Sequence, residues 1–342
     1  MMDVGPYTSG RIAVVNLSAS IESLELRRAQ GAAFAELIAL SDLLFARGDL
    51  LGRIADHERA ELVATEATAL SPARASALFI RARLAGRFHR FVEAGRFLHQ
   101  AAVAGYPPEE LDGEEAALLQ ATGRYGEALV LRATLAEKDP SIRTLGALAS
   151  LFAEMGAWAA AEDRYAAALA ADEGLSPIPS GQLFFEWGVS AMRTGHLDRA
   201  EALFRQLDAI LPQHVPGRGH RAEVALARGE LDAALALIAP LPEIADDPEY
   251  RATYAEVLNA RGEREAATAE AERAAAAYEA LLARRPEAYA DHAAAFFLGI
   301  GNRPQRALEL AHANWHLRDT PRSRRLLDKA LRKAQQATAL AA

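Results

Sequence analysis

The chain has 342 residues, 51% apolar but only 7% aromatic, with no cysteine and a formal net charge of −8. That length admits two compact domains or one elongated array, and the missing thiols exclude disulfides, cysteine catalysis and thiolate-held metal or iron–sulfur centres. The acidic balance argues against a nucleic-acid partner, which calls for a basic stripe. Much of the apolar content is alanine, the strongest helix former, and strand-favouring residues are sparse, so the expected class is all-α. The excess of Arg over Lys, which occurs only at Lys138, Lys329 and Lys333, reads as a coding bias toward GC-rich codons.

In chain order, residues 1–30 form an N-terminal segment. It lacks a basic n-region and holds one short apolar run, Ile12–Leu17, so no signal peptide is expected. The run is read as a short extended piece or a cap before the first helix. No stretch reaches the roughly 18 apolar residues of a membrane helix. The expected location is therefore the cytoplasm, without membrane insertion, or the periplasm for a chain whose leader has been removed.

Residues 31–320 carry a periodic glycine: Gly48, Gly86, Gly123, Gly156, Gly195, Gly229, Gly262 and Gly301, at intervals of 33–39 residues. That spacing is the period of helix–turn–helix arrays. Each glycine is placed in the tight turn between two antiparallel helices, where a positive φ is cheap without a Cβ. Ala128, Ala161, Ala200, Ala234 and Ala267 each stand five residues after a turn glycine, where a small side chain lets paired axes approach. Pro140, Pro212 and Pro286 mark the ends of second helices. From Gly48 to Pro72 and from Gly262 to Pro286 is 24 residues, against 17 from Gly123 to Pro140 and from Gly195 to Pro212. The extra seven residues predict a second helix about two turns longer near each end of the array. Residues 321–342, opening on Pro321 with Leu326, Leu327, Ala330 and Leu331 as an apolar stripe, predict a C-terminal capping helix over the last repeat.

The two units best written are Ile142–Asp172 and Gly181–Pro212. The first has Leu145, Leu148, Ala149 and Phe152 before Gly156, then Trp158, Ala161, Tyr165 and Ala168. The second has Phe184, Trp187, Gly188 and Ala191 before Gly195, then Leu197, Ala200, Phe204 and Leu207. In these positions the chain resembles the tetratricopeptide repeat family, and a bacterial repeat protein in particular. The resemblance implies a right-handed α-solenoid of about eight antiparallel helix–turn–helix repeats. Its first helices would line a concave face that holds a peptide or protein segment. On that face it places Arg143, Ser150, Phe185, Val189, Met192, Arg193, Glu223, Glu256 and Asn259, an apolar floor with mixed charge around it. The family's carboxylate-clamping members use Lys and Asn at positions that are Gly146, Ser150, Phe185 and Val189 here, so a charge-paired clamp is not expected.

No HExxH, GxSxG or Walker-type loop is present, so neither catalysis nor a cofactor is expected. His312 and His316, four apart on one helix face, are the metal candidates, with His292, Asp291 or Glu309 nearby; the simpler reading is a solvated face. His214 and His220, with Arg218 and Arg221, allow an anion site or plain surface charge. The expected function is a non-catalytic protein-interaction scaffold or adaptor with a protein or peptide client. The alternatives are a homo-oligomerising structural protein and a metal-dependent enzyme on a helical frame.

Overall fold

Alanine-rich segments punctuated by capping residues and prolines give helix throughout the described residues. The computed structural model describes residues 7–172 and 174–341, and among them there is helix and turn but no strand. A lone first helix, α1 (Gly10–Ala29), precedes eight antiparallel pairs. These are α2 (Phe34–Leu51) with α3 (Ile54–Leu70), α4 (Ala75–Arg87) with α5 (Phe91–Val103), α6 (Pro108–Ala121) with α7 (Tyr125–Lys138), and α8 (Ile142–Glu154) with α9 (Trp158–Ala170). Then come α10 (Pro177–Arg193) with α11 (Leu197–Ile210), α12 (Val215–Ala227) with α13 (Leu231–Ile238), α14 (Pro248–Ala260) with α15 (Arg264–Arg284), and α16 (Pro286–Leu298) with α17 (Pro304–Leu317). Helix α18 (Pro321–Ala341) packs on α16 and α17. No described helix is long and apolar enough to cross a membrane.

Five of the eight periodic glycines behave as expected: Gly123, Gly156, Gly195, Gly229 and Gly262 have φ between 76° and 87°. The alanines five residues on are buried, and helix axes close up around them. The other three glycines are not turn residues of this kind. Gly48 lies inside α2, where it makes room for His57, whose Nε2 would sit 2.6 Å from a Cβ; the turn falls at Gly52, φ 62°. Gly86 lies in α4, and His89 supplies the left-handed residue at φ 56°. After α16 that role passes from Gly301 to Asn302, φ 44°. The later turn at Gly52 shortens the second helix expected after Gly48: α3 has 17 residues, about one turn more than the 13 or 14 of α5, α7, α9 and α11 rather than two. The long helix near the other end is present as α15, 21 residues. Ile12–Leu17, read as an extended piece, is helical instead: Val14, Leu17 and Ile21 are one buried face of α1, packed on α2 and α10.

The array does not stay open. Its first pairs come to rest on its last ones. The Asp246 carboxylate, just before α14, accepts from the backbone N–H of Ile54 at 2.6 Å and of Ala55 at 3.0 Å, capping α3 from a remote repeat. Arg284 reaches Glu58 at 2.8 Å and Arg285 reaches Glu61 at 2.6 Å. The His89 ring nitrogen Nδ1 lies 3.0 Å from the Glu287 carbonyl, donating to it. A Cβ on Gly123 would overlap the Asp319 carbonyl, and one on Gly52 the Tyr250 hydroxyl. The core crosses the same seam: Ile54 and Phe88 are buried among Tyr278, Tyr289 and Phe297. Burying such side chains contributes about 1.5–3 kcal/mol each.

The predicted capping stripe needs one correction. Leu326, Leu327 and Ala330 pack on α16 and α17, whereas Leu331 is 38% exposed and Ala334 takes its place inside. The start of α18 does more than cap, because its first turns look into the concave side of the array.

Candidate binding cavity on the concave face

Winding the repeats back on themselves turns the concave face into a half-open recess. Helices α6, α8, α10, α12 and α16, with the start of α18, bound a cavity of about 850 Å³, within the size range of ligand pockets. Among the expected groove residues, Ser150, Phe185, Val189 and Arg193 line it. Phe185 is braced by two imidazoles, its ring centroid 4.9 Å from that of His214 and 5.7 Å from that of His220. Met192 packs against the core instead. Arg143 lies outside, exposed and 3.8 Å from Glu110. Asn259 and Glu256 are exposed on α14 and do not line the cavity. Glu256 is nonetheless hemmed in by protein, and that desolvation with the nearby Glu223 pushes its carboxyl up to about 7. Glu223 belongs to a separate small chamber beside His220 and Glu249.

The floor is apolar with charge around it, and one wall is cationic through residues of α18 that the expected groove did not include. Arg322, Arg325 and Lys329 stand at i, i+3 and i+7 of α18, one helix face, and all three line the cavity. Arg193 at the end of α10 faces them. None of these four has an ion-pair partner among the described residues, whereas Arg318 is spent on Asp291 and Asn314. Arg193 is solvent-exposed, yet protein surrounds it. That confinement, with Arg322 as a like charge, pulls its guanidinium down to about 10. Glu154 and Glu186 stand on the opposite wall, where burial raises the Glu186 carboxyl.

A second cluster sits at the edge of the cavity. His292 is hydrogen-bonding distance-plus from Glu249, 3.4 Å, and 3.9 Å from Asp291; Asp291 and Glu249 outweigh burial and raise its imidazole to about 9. Burial would raise Asp291, but His292, Arg318 and Arg322 hold it far below the usual carboxylate range. The pair proposed from sequence, His312 and His316, has ring centroids 4.7 Å apart beside Trp315. No third donor joins these two among the described residues. His214 is buried rather than superficial, and its Nδ1 accepts from the Gly217 N–H at 3.0 Å as the cap of α12. Arg221 is occupied by Glu201 and Asp208, so the anion site imagined there has no free cation from it.

The repeat geometry has a match in sequence as well. The tetratricopeptide repeat family model matches residues 191–257. Those residues, from the end of α10 into α14, carry the tetratricopeptide-repeat pattern. The repeat chain superposes on the crystal structure of the APC/C hetero-tetramer Cut9–Hcn1 with a TM-score of 0.54 at 14% identity, covering 86% of this chain and 55% of that one. It thus spans about half the length of that neighbour, and the likeness is one of fold. A tetratricopeptide repeat protein from Parabacteroides merdae ATCC 43184 aligns at 19% identity and TM-score 0.46, over 70% of this chain and 91% of that one. YrrB, described as a TPR protein with an unusual peptide-binding site, aligns at 18% and 0.32, over 59% and 96%. No curated protein matches by sequence.

Sequence reasoning missed the cationic wall. The i, i+3, i+7 spacing of Arg322, Arg325 and Lys329 was visible, but that α18 turns this face into the repeat cavity depends on the contact of Asp319 with Gly123, which no local pattern encodes.

Proposed function

We propose that the protein is a non-catalytic interaction scaffold whose concave cavity takes an acidic segment of a partner protein. The repeat fold typically mediates protein–protein interactions. The observation that carries the finer reading is that Arg193 and Arg322 line one recess and repel each other, while neither has an ion-pair partner among the described residues. Two like charges that share a recess disfavour each other's charged form, and an anion bound between them relieves that repulsion. Guanidinium forks suit carboxylates because they donate two parallel hydrogen bonds. Phe185 and Val189 then offer apolar surface to the side chains between acidic residues, which gives grip without charge.

The test is fluorescence anisotropy with a labelled Asp/Glu-rich peptide beside a Ser/Gly-rich peptide of equal length. The acidic peptide should bind more tightly, weaken as salt rises, and lose about tenfold or more in Arg193→Gln/Arg322→Gln, folding being checked by circular dichroism. Equal affinity for both peptides, or an unchanged affinity in the folded double variant, contradicts the reading.

A further inference from the structure

We infer that His220, Glu223 and Glu249 form a binding site for one divalent transition-metal cation, with His292 as a fourth donor within reach. One ring nitrogen of His220 and one oxygen each of Glu223 and Glu249 lie within 4.8 Å of one another. Donors about 2.0–2.2 Å from a shared ion stand roughly 3–4.5 Å apart, so small side-chain rotations suffice. The same three residues line a separate chamber of about 20 Å³ with Gly219, Tyr250 and Thr253. That is room for one water or one ion.

The donors come from three consecutive first helices: His220 and Glu223 one turn apart on α12, Glu249 in the first turn of α14, and His292 on α16, its Nδ1 3.4 Å from Glu249 Oε2. Outer contacts hold them in place. Phe185 and Phe204 flank the His220 ring, and the Thr253 hydroxyl donates to Glu223 Oε1 at 3.4 Å. Gly219 lets α12 approach α14, since a Cβ there would meet the Tyr250 ring at 2.9 Å. Such second contacts orient ligands at metal centres. Two imidazoles with two carboxylates favour a borderline cation such as Zn²⁺ over Ca²⁺, Mg²⁺ or Mn²⁺, which prefer oxygen-rich sites. This site does not depend on the acidic-segment reading.

The test is isothermal titration of chelator-treated full chain with ZnCl₂, and separately with MnCl₂. Wild type should bind one equivalent of Zn²⁺ saturably. The near-isosteric Glu223→Gln and Glu249→Gln variants, folded by circular dichroism, should each bind at least tenfold more weakly. His312→Ala/His316→Ala should bind like wild type. The inference is overturned by the absence of a saturable single equivalent, by unchanged affinity in both Gln variants, or by loss of the equivalent in the His312→Ala/His316→Ala variant, which would move the ion to that pair.

Discussion

Gly123 and Asp319 meet backbone to backbone, so closely that a Cβ on the glycine would overlap the Asp319 carbonyl oxygen. Gly123 ends the first helix of the third pair; Asp319 leads into α18. Their contact, with Asp246 capping α3, makes the solenoid a wound, self-supporting body.

A pair of glycine substitutions isolates that closure. Gly123 and Gly156 both have left-handed φ, 87° and 80°, but nothing lies within 4 Å of a Cβ at Gly156. Alanine costs each about 1–2 kcal/mol of backbone strain, and overlap adds about 1–3 kcal/mol at Gly123 alone. Urea midpoints should therefore fall further for Gly123→Ala than for Gly156→Ala. Equal losses would mean that the contact with Asp319 yields without cost.

Within the first pair, Arg47 and Asp56 form a buried bidentate ion pair, both bonds 2.7 Å, with the residues 8% and 4% exposed. Removing one partner strands the other charge, at about 3–5 kcal/mol. Asp56→Ala should lower the thermal midpoint strongly. Arg47→Met/Asp56→Leu should recover much of the loss, because no charge is then left buried.

Acid should weaken the fold through two imidazoles. Burial lowers both His89 and His214 from about 6.5 to about 4. Arg318 adds to the shift at His89, while Asp49 opposes it at His214. As pH falls, the unfolded chain takes up these protons first, so their stabilisation is complete above about pH 6.5 and is lost between about 6.5 and 4. Asparagine is a good helix cap and does not titrate, so His214→Asn should flatten the urea-stability profile in that window. An unchanged slope would show that His214 takes up its proton equally in the folded and unfolded chain, against the lowered pKa.

The repeat was legible wherever one residue had one local job. Gly156 and Gly195 make turns, Ala161 and Ala200 let helices touch, and Trp187 and Phe204 fill the space between repeats, so their spacing carries the pattern directly. Gly48 misled because a helix packing against His57 needs a small residue as much as a turn does. Of the candidate groove, Phe185, Val189, Ser150 and Arg193 follow from repeat register alone. Arg143 and Asn259 share that register yet fall outside, since the cavity's ends are set by where remote repeats meet. Arg322 and Lys329 reach it for the same reason: Asp319 touches Gly123, and only tertiary winding brings those two together.

The most direct measurement of where the partner segment sits is photo-crosslinking of a short Asp/Glu-rich peptide carrying a benzophenone, with attachment sites read by mass spectrometry. The cavity account predicts adducts on α10 and the start of α18, around Phe185, Val189 and Leu326, suppressed by Arg193→Gln/Arg322→Gln. Adducts confined to the outer faces of second helices such as α9, α11 or α15, and unaffected by that double change, would contradict it.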